Sequence, residues 1–466
     1  MLLMATMALY FMASKILFDK VNETSKMVIQ GLSFCNRNFS YCDPKLTTLP
    51  GLYLVTAAFK DIYFPCITYI LRFINLGASC LNLTLFSSIL KFIYGNQNDN
   101  QCKVIFQALN LALLPPLYFF SHVYYTETLS LLLLLMFSTL CFINKSKYLI
   151  FIFGVLSVLM RQTNIAWIAM VFGFKVLNIL IRSSRVFGNN YLRNTMLSKR
   201  SLIARDIDTS KLKRYYGLTD VYIALKYHLP TFFTNSFQFI TTMDWFLIVQ
   251  QLMIMILYVV FVFINGSFVV GDKDSHTPTL HLPQMLYFLL FYGVFGVPYV
   301  LRKLLSTLKL LYRNKLLFVL IACVFLVVVH YNTIVHPCIV ADNRHYTFYI
   351  WNRWYGKYDY AKYATVPLYV FLLFSLYDNL KDQNCITFLL PYSMSLFLVL
   401  CLQPLVEIRY FLTPYIILRF RFAHPSFKTV LFEFVWYVTL NVLSFYIFFT
   451  KEIIWSDINN IQRIIW

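Results

Sequence analysis
The chain of 466 residues is 59% hydrophobic and only 13% charged, with a mean hydropathy of +0.64. A soluble domain carries about a quarter charged residues, so a chain this apolar cannot cover itself with polar surface in water and is read as an all-α, multi-span membrane protein. Its net charge of +20 belongs to basic loops that orient membrane helices, and nucleic acid is not expected as a partner.

The spans are expected to be helices, because backbone amides in lipid must be satisfied within the segment. A transmembrane barrel would show short alternating segments, and these runs are long and continuously apolar. Residues 1–18 carry one lysine and no small-residue cleavage site, which predicts an anchor rather than a signal peptide. The candidate spans are 1–18, 72–94, 103–121, 128–143, 148–160, 164–181, 243–264, 279–299, 315–335, 364–380, 385–403 and 428–450, about twelve in one multi-span domain over 1–466.

Charge predicts the orientation. Residues 182–226 hold ten basic residues, including Arg182, Arg185, Lys199, Arg200 and Arg214, against Asp206, Asp208 and Asp220. The whole basic stretch 182–242 is expected on the cytosolic side, as is the loop with Arg302, Lys303, Lys309, Arg313 and Lys315. Counting spans outward from these places 19–71, 265–278, 336–355 and 404–427 on the opposite face, where the polar motifs then converge.

Those motifs come in chain order. In the first loop, Cys35 and Cys42 are close enough in sequence to pair, and sequons occur at Asn22-Glu23-Thr24 and Asn38-Phe39-Ser40. Asp43 opens a run, DPKLTTLPGLY, that sets a carboxylate among hydroxyls and a Pro-Gly bend. Glu127, within Tyr124-Tyr125-Thr126-Glu127-Thr128, marks either a plain interface or a functional acid at membrane depth. Arg161-Gln162-Thr163-Asn164 interrupts two apolar runs; a tight turn needs neither Arg nor Gln, whereas an arginine fork suits phosphate. Asp272 and His276 lie in a polar loop, GDKDSH, which is either a solvated hairpin or a substrate contact; its spacing fits no metal template. Asp342, Asn343, Arg344, His345 and Tyr346 form the densest polar run, flanked by aromatics suited to a sugar or a polyprenyl chain. Glu407 and Arg409, between Pro404 and Pro414, form an ion pair or bind an anion. No P-loop or GxGxxG cradle is present, so a nucleotide-sugar donor is not expected.

The runs DPKLTTLPGLY, YYTETLSLL, RQTNIAW, GDKDSH with LHLPQMLYF, HPCIVADNRHYTFYIW and EIRYFLTPYIILRF occur in this order. Together they closely resemble the dolichyl-phosphate-glucose α-1,2-glucosyltransferases of the endoplasmic reticulum. The similarity covers nearly the whole chain and is weakest over 183–240.

The resemblance implies a polytopic GT-C-type bundle in the endoplasmic reticulum membrane with its site facing the lumen. It implies transfer of glucose from dolichyl phosphate glucose to the diglucosylated oligosaccharide on dolichyl diphosphate, with inversion to a terminal α-1,2 linkage for protein N-glycosylation. Membrane lipid is the surrounding partner. Polyprenyl phosphate is a competent leaving group, so no cofactor or metal is expected.

In such enzymes a base takes the proton of the attacking hydroxyl, and the family resemblance puts it in the first lumenal loop. Members carry an Asp-Glu pair there, which falls on Glu23 and Thr24, followed by Ser25, Lys26 and Met27 in place of an apolar-aromatic-His run. Asp43 is therefore the preferred base and Glu23 the second. Arg344, Arg161, His345 and Arg409 are assigned to the donor phosphate. Glu127, Gln162, Asp272, His276, Asp342, Asn343, Tyr346 and Glu407 are assigned to substrate contacts or to orienting those cations. The altered stretch 23–27 also keeps open a second class, a catalytically reduced or inactive membrane protein on the same scaffold that acts as a binding or regulatory partner.

Overall fold
The computed structural model describes residues 2–21, 26–41, 43, 46–62, 64–94, 101–143, 147–192, 222, 226, 242–271, 273, 277–381, 386–422, 425–455 and 458–466. Among them the chain is almost wholly helical. Six helices are long and apolar enough to cross a membrane: Leu2–Lys20, Thr68–Tyr94, Thr126–Ile143, Thr242–Asn265, Lys315–Asn332 and Phe427–Thr450. Shorter apolar helical stretches lie between them: Tyr148–Met160, Asn164–Leu180 at the start of the Asn164–Leu192 helix, Pro283–Phe295 and Ile386–Leu400.

Each candidate span is mostly helix, and two are broken well inside their length. The 103–121 span is realised as Gln101–Ala112 and Pro115–Phe120, because Pro115 has no N–H to continue the first ladder. The 279–299 span parts at Gly296 into Pro283–Phe295 and Val297–Arg302. Thr126–Ile143 is buried along most of its length, whereas Phe263 at 88% and Leu316 at 82% exposure stand on outer helices, a distribution that suits lipid and not water. The basic stretch 182–242 begins inside the Asn164–Leu192 helix, and most of its remainder lies outside the described residues.

The first loop is not a polar linker. It folds into two helices, Lys26–Cys35 and Gly51–Asp61, whose Val28, Phe34, Leu52 and Tyr53 pack against Leu71, Ile74 and Leu133. This hairpin brings Cys35 to Cys66, just before the Thr68–Tyr94 helix, and the two form a disulfide with Cα atoms 5.9 Å apart. The expected Cys35–Cys42 pairing is thereby corrected: the partner is set by how the helices return, not by the shorter sequence gap.

A second correction concerns 404–427, expected as one loop. Its polar part ends at Phe411, and the Leu412–Arg419 helix then enters the core with Tyr415, Ile416 and Leu418 buried. Arg419 can follow because an acid waits for it. Its Nε and Nη2 donate to the Glu433 carboxylate at 2.9 and 2.8 Å, and Tyr299 and Asn110 also donate to Glu433, each at 2.9 Å. Both charged side chains are 1% exposed. Glu433→Ala is expected to cost ~3–5 kcal/mol, because it leaves a buried guanidinium uncompensated. The double variant Arg419→Met/Glu433→Leu should unfold at a temperature closer to wild type, a comparison made by thermal unfolding in detergent.

A two-stranded antiparallel hairpin, Glu452–Trp455 with Ile458–Arg463, follows the last helix. From it the chain returns to residues 344–346.

Candidate active site
The polar motifs meet at one end of the bundle, and amide side chains hold them there. In the Thr68–Tyr94 helix, Asn75 donates to the carbonyls of Val123 and Tyr125 at 2.8 and 2.6 Å. Arg72 donates to His122 O at 2.9 Å, and Asn82 to Thr128 O at 3.0 Å. These bonds replace the water that a turn beside lipid lacks. They set Glu127, 4% exposed, in the first turn of Thr126–Ile143, where the helix dipole favours an acid.

The Arg161–Asn164 turn is tied to the same helix by Asn164, which donates to Ser130 Oγ at 2.7 Å and Ser157 O at 2.8 Å. Arg161 Nη1 then reaches Glu127 Oε1 at 3.1 Å. Next to it, Gln162 Nε2 donates to Thr47 O at 2.8 Å, and so fastens the DPKLTTLPG run to this turn. Gly51 permits the approach: a Cβ there would lie 2.5 Å from Leu159 O and 2.9 Å from Met160 N.

On the far side, Gln284 Nε2 donates to the carbonyls of Gln403 and Leu405 at 3.2 and 2.8 Å, and His281 N donates to Cys401 O at 2.7 Å. The segment they hold delivers Glu407 and Arg409. Arg409 Nε donates to Glu407 Oε2, and Arg409 Nη1 lies 3.9 Å from Glu127 Oε1. Glu127 is therefore shared by Arg161 and Arg409. Tyr410 has a guanidinium 5.7 Å from its ring centroid on each count, Arg161 and Arg409, and Arg409 also lies 5.3 Å from the ring of Tyr125.

The third corner is the 342–345 turn. Asp342 accepts from Arg344 three times, at Oδ1 from the backbone N at 3.1 Å and Nε at 2.9 Å and at Oδ2 from Nη2 at 2.7 Å, and His345 Nε2 lies 3.8 Å from the same Oδ2. Burial acts to raise the Asp342 carboxyl, but the Arg344 fork outweighs it and holds the group below the usual carboxylate range. Its stabilising contribution is therefore full above that range and is lost as pH falls through the depressed value. Glu407 behaves alike: burial pushes it up and Arg409 brings it down further. Burial depresses His345, opposed by Glu407 and Asp342.

Three arginines thus stand against three carboxylates, and each carboxylate works to orient a cation. Among the described residues the Arg161 guanidinium makes one hydrogen bond, so most of its five N–H donors are not used within the protein. Such a set suits a phosphate: bidentate forks, fixed in place, with aromatic rings beneath.

Beside this cluster runs an apolar cavity of about 300 Å³, lined among others by Phe291, Phe295, Tyr346, Trp351, Ile408 and Trp466. Its wall and the charged cluster share backbone. Ile408 lies between Glu407 and Arg409, and Tyr346 follows His345.

The expected residues sort as follows. Glu127, Arg161, Asp342, Arg344, His345, Glu407 and Arg409 form one charged constellation, with Gln162 as its link to the first loop. Tyr346 lines the apolar cavity, and Asn343 sits half-buried within the turn. Asp43 is half-buried, its N–H donating to Gln30 Oε1 at 3.2 Å, four residues ahead of Thr47. Glu23, Asp272 and His276 lie outside the described residues. Among the described residues no group of three His, Cys, Asp or Glu side chains is placed to hold a metal. Sequence reading passed over the ring partners Tyr125 and Tyr410 and the tail residues Gln462 and Trp466; a tyrosine flanking a motif charge was the available signal for the first two.

A model described as the DIE2/ALG10 family matches residues 27–420. The chain belongs to the DIE2/ALG10 family. It is 38% identical to a Drosophila melanogaster protein named Dol-P-Glc:Glc(2)Man(9)GlcNAc(2)-PP-Dol alpha-1,2-glucosyltransferase, over 97% of this chain and 96% of that one. Proteins of the same name from Rattus norvegicus and Homo sapiens are 32% and 31% identical, each over 94% of this chain and 91% of theirs. No solved structure matches. The DIE2/ALG10 match takes in Asp43 and the whole charged constellation, and stops short of the C-terminal hairpin.

Proposed function
We propose that this chain is an inverting glucosyltransferase that moves glucose from dolichyl phosphate glucose to the diglucosylated lipid-linked oligosaccharide, forming its terminal α-1,2 linkage. The observation that carries this reading is the junction of an arginine cluster with an apolar groove on one stretch of backbone, which suits a ligand made of a phosphate and an isoprenoid chain. The names of its relatives supply the sugar and the acceptor.

In this reading the acceptor 2-hydroxyl oxygen attacks the anomeric carbon as its proton passes to Asp43. The bond to the phosphate oxygen breaks with its electron pair on dolichyl phosphate, and configuration inverts from β to α. Arg161, Arg409 and Arg344 meet the charge that grows on the leaving phosphate. Glu127, Glu407 and Asp342 hold those guanidinium groups in place, so little reorganisation remains at the moment of transfer. The reaction as drawn needs no metal. The scaffold is read as a GT-C-type bundle of about twelve spans, with the broken and shorter helices crossing together with the six long ones.

The site is placed in the lumen of the endoplasmic reticulum. The Cys35–Cys66 disulfide suits an oxidising compartment, and the basic loop 302–315 lies at the other end of the helices that leave the site. Exposed Asn38 should then carry a glycan. The chain made in eukaryotic cells is expected to show a mass shift that endoglycosidase removes and that Asn38→Gln reduces. No shift at all would count against this orientation. The activity itself is tested by complementing cells that lack the enzyme and sizing their lipid-linked oligosaccharides. Failure of the wild-type chain to add the last glucose would remove the reading.

A further inference from the structure
The hairpin beyond the last helix reaches into the site. Arg463 Nη1 donates to the carbonyls of Phe448 and Phe449 at 3.0 and 2.9 Å, which caps the end of Phe427–Thr450, and Nη2 donates to Glu452 at 3.1 Å. Anchored there, the chain turns back onto the 342–346 turn. Ile465 N donates to Arg344 O at 2.8 Å, and Gln462 Oε1 accepts from Arg344 Nη1 at 3.4 Å. The ring of Trp466 packs on Tyr346 at 4.7 Å and on Phe295 at 5.9 Å between centroids, and it lines the apolar groove. Its indole N–H is buried without a hydrogen-bond partner among the described residues.

We propose that residues 462–466 complete the donor site, with Gln462 positioning the Arg344 fork and Trp466 gripping the isoprenoid chain beside the phosphate. This rests on the reading of the groove as the donor's. A carrier lipid of many isoprene units presents a flat, branched hydrocarbon face, and an aromatic wall fastened to the phosphate-binding turn couples chain and headgroup in one register.

The test uses the purified full chain with dolichyl phosphate glucose and the diglucosylated acceptor. Trp466→Ala is expected to raise KM for the donor about tenfold, the factor that follows from losing one large apolar contact, with kcat within about twofold and the acceptor KM unmoved. Trp466→Phe should recover most of the loss. Gln462→Ala should lower kcat in the wild-type background and add nothing in an Arg344→Ala background, a non-additivity that a merely structural residue would not give. Where Trp466→Ala does not fold, Trp466→Leu carries the same comparison. An active wild type whose donor KM ignores Trp466, or whose donor and acceptor KM values rise together, overturns this inference alone. A wild type that transfers no glucose removes the donor assignment, and this inference with it.

Discussion

Replacing Arg409 by alanine is expected to lower kcat/KM by about 10²–10³-fold, the loss seen when one preorganised donor to a developing anion is removed. Arg409 is the joint of the constellation. Its guanidinium donates to Glu407, lies 3.9 Å from Glu127 and sits over the rings of Tyr125 and Tyr410. Without it, Glu127 keeps among the described residues only Arg161 as a cationic partner, and Glu407 loses the charge that holds its carboxyl low against burial. Two acids that had oriented cations would then repel an incoming phosphate. The fall should lie mostly in kcat, because the charge on the leaving phosphate grows toward the transition state. Arg409→Lys keeps the charge and loses the planar fork, so it should recover only part of the rate. Unfolding in detergent and gel-filtration profiles near wild type would show that fold survives. A kcat/KM within about threefold of wild type in Arg409→Ala would remove the phosphate role.

Asp43→Asn should lower kcat by about 10²–10⁴-fold, the range for a lost general base, with both KM values little changed. The three acids of the charged cluster are each engaged by an arginine, which suits them to orientation. Asp43 comes from another element, and the Gln162 bond to Thr47 and the close approach at Gly51 carry its loop to the Arg161 turn. The measurement is the rate at which the terminal glucose is added, compared with Glu23→Gln. Full activity in Asp43→Asn together with loss in Glu23→Gln would move the base to Glu23.

The helices were legible because each is announced by an uninterrupted apolar run, and lipid permits few alternatives for such a run. The motif charges were legible by contrast: Glu127, Arg161 and Arg409 stand at the ends of, or between, long apolar runs that carry almost no charge. Their pairing was not. Glu127 lies 34 residues from Arg161, and charge alone does not choose between Arg161, Arg344 and Arg409 as its partner. Nor did spacing choose Cys66 for Cys35, since two packed helices close that loop. Leu412–Arg419 looked like loop because it is short and carries an arginine. Glu433, fourteen residues on, is what lets it enter the core.

The amino-acid order by itself determined that this is a helical membrane protein and where its apolar runs lie, and it marked out a few polar residues as candidates for the chemistry. Only the tertiary structure decided that seven of those residues share one cluster, that an apolar groove opens beside it, and that Trp466 lines that groove. The reason is one of range. Burial of an apolar run is a local property of the run, whereas an ion pair or a cavity wall exists only between segments that helix packing has already brought together.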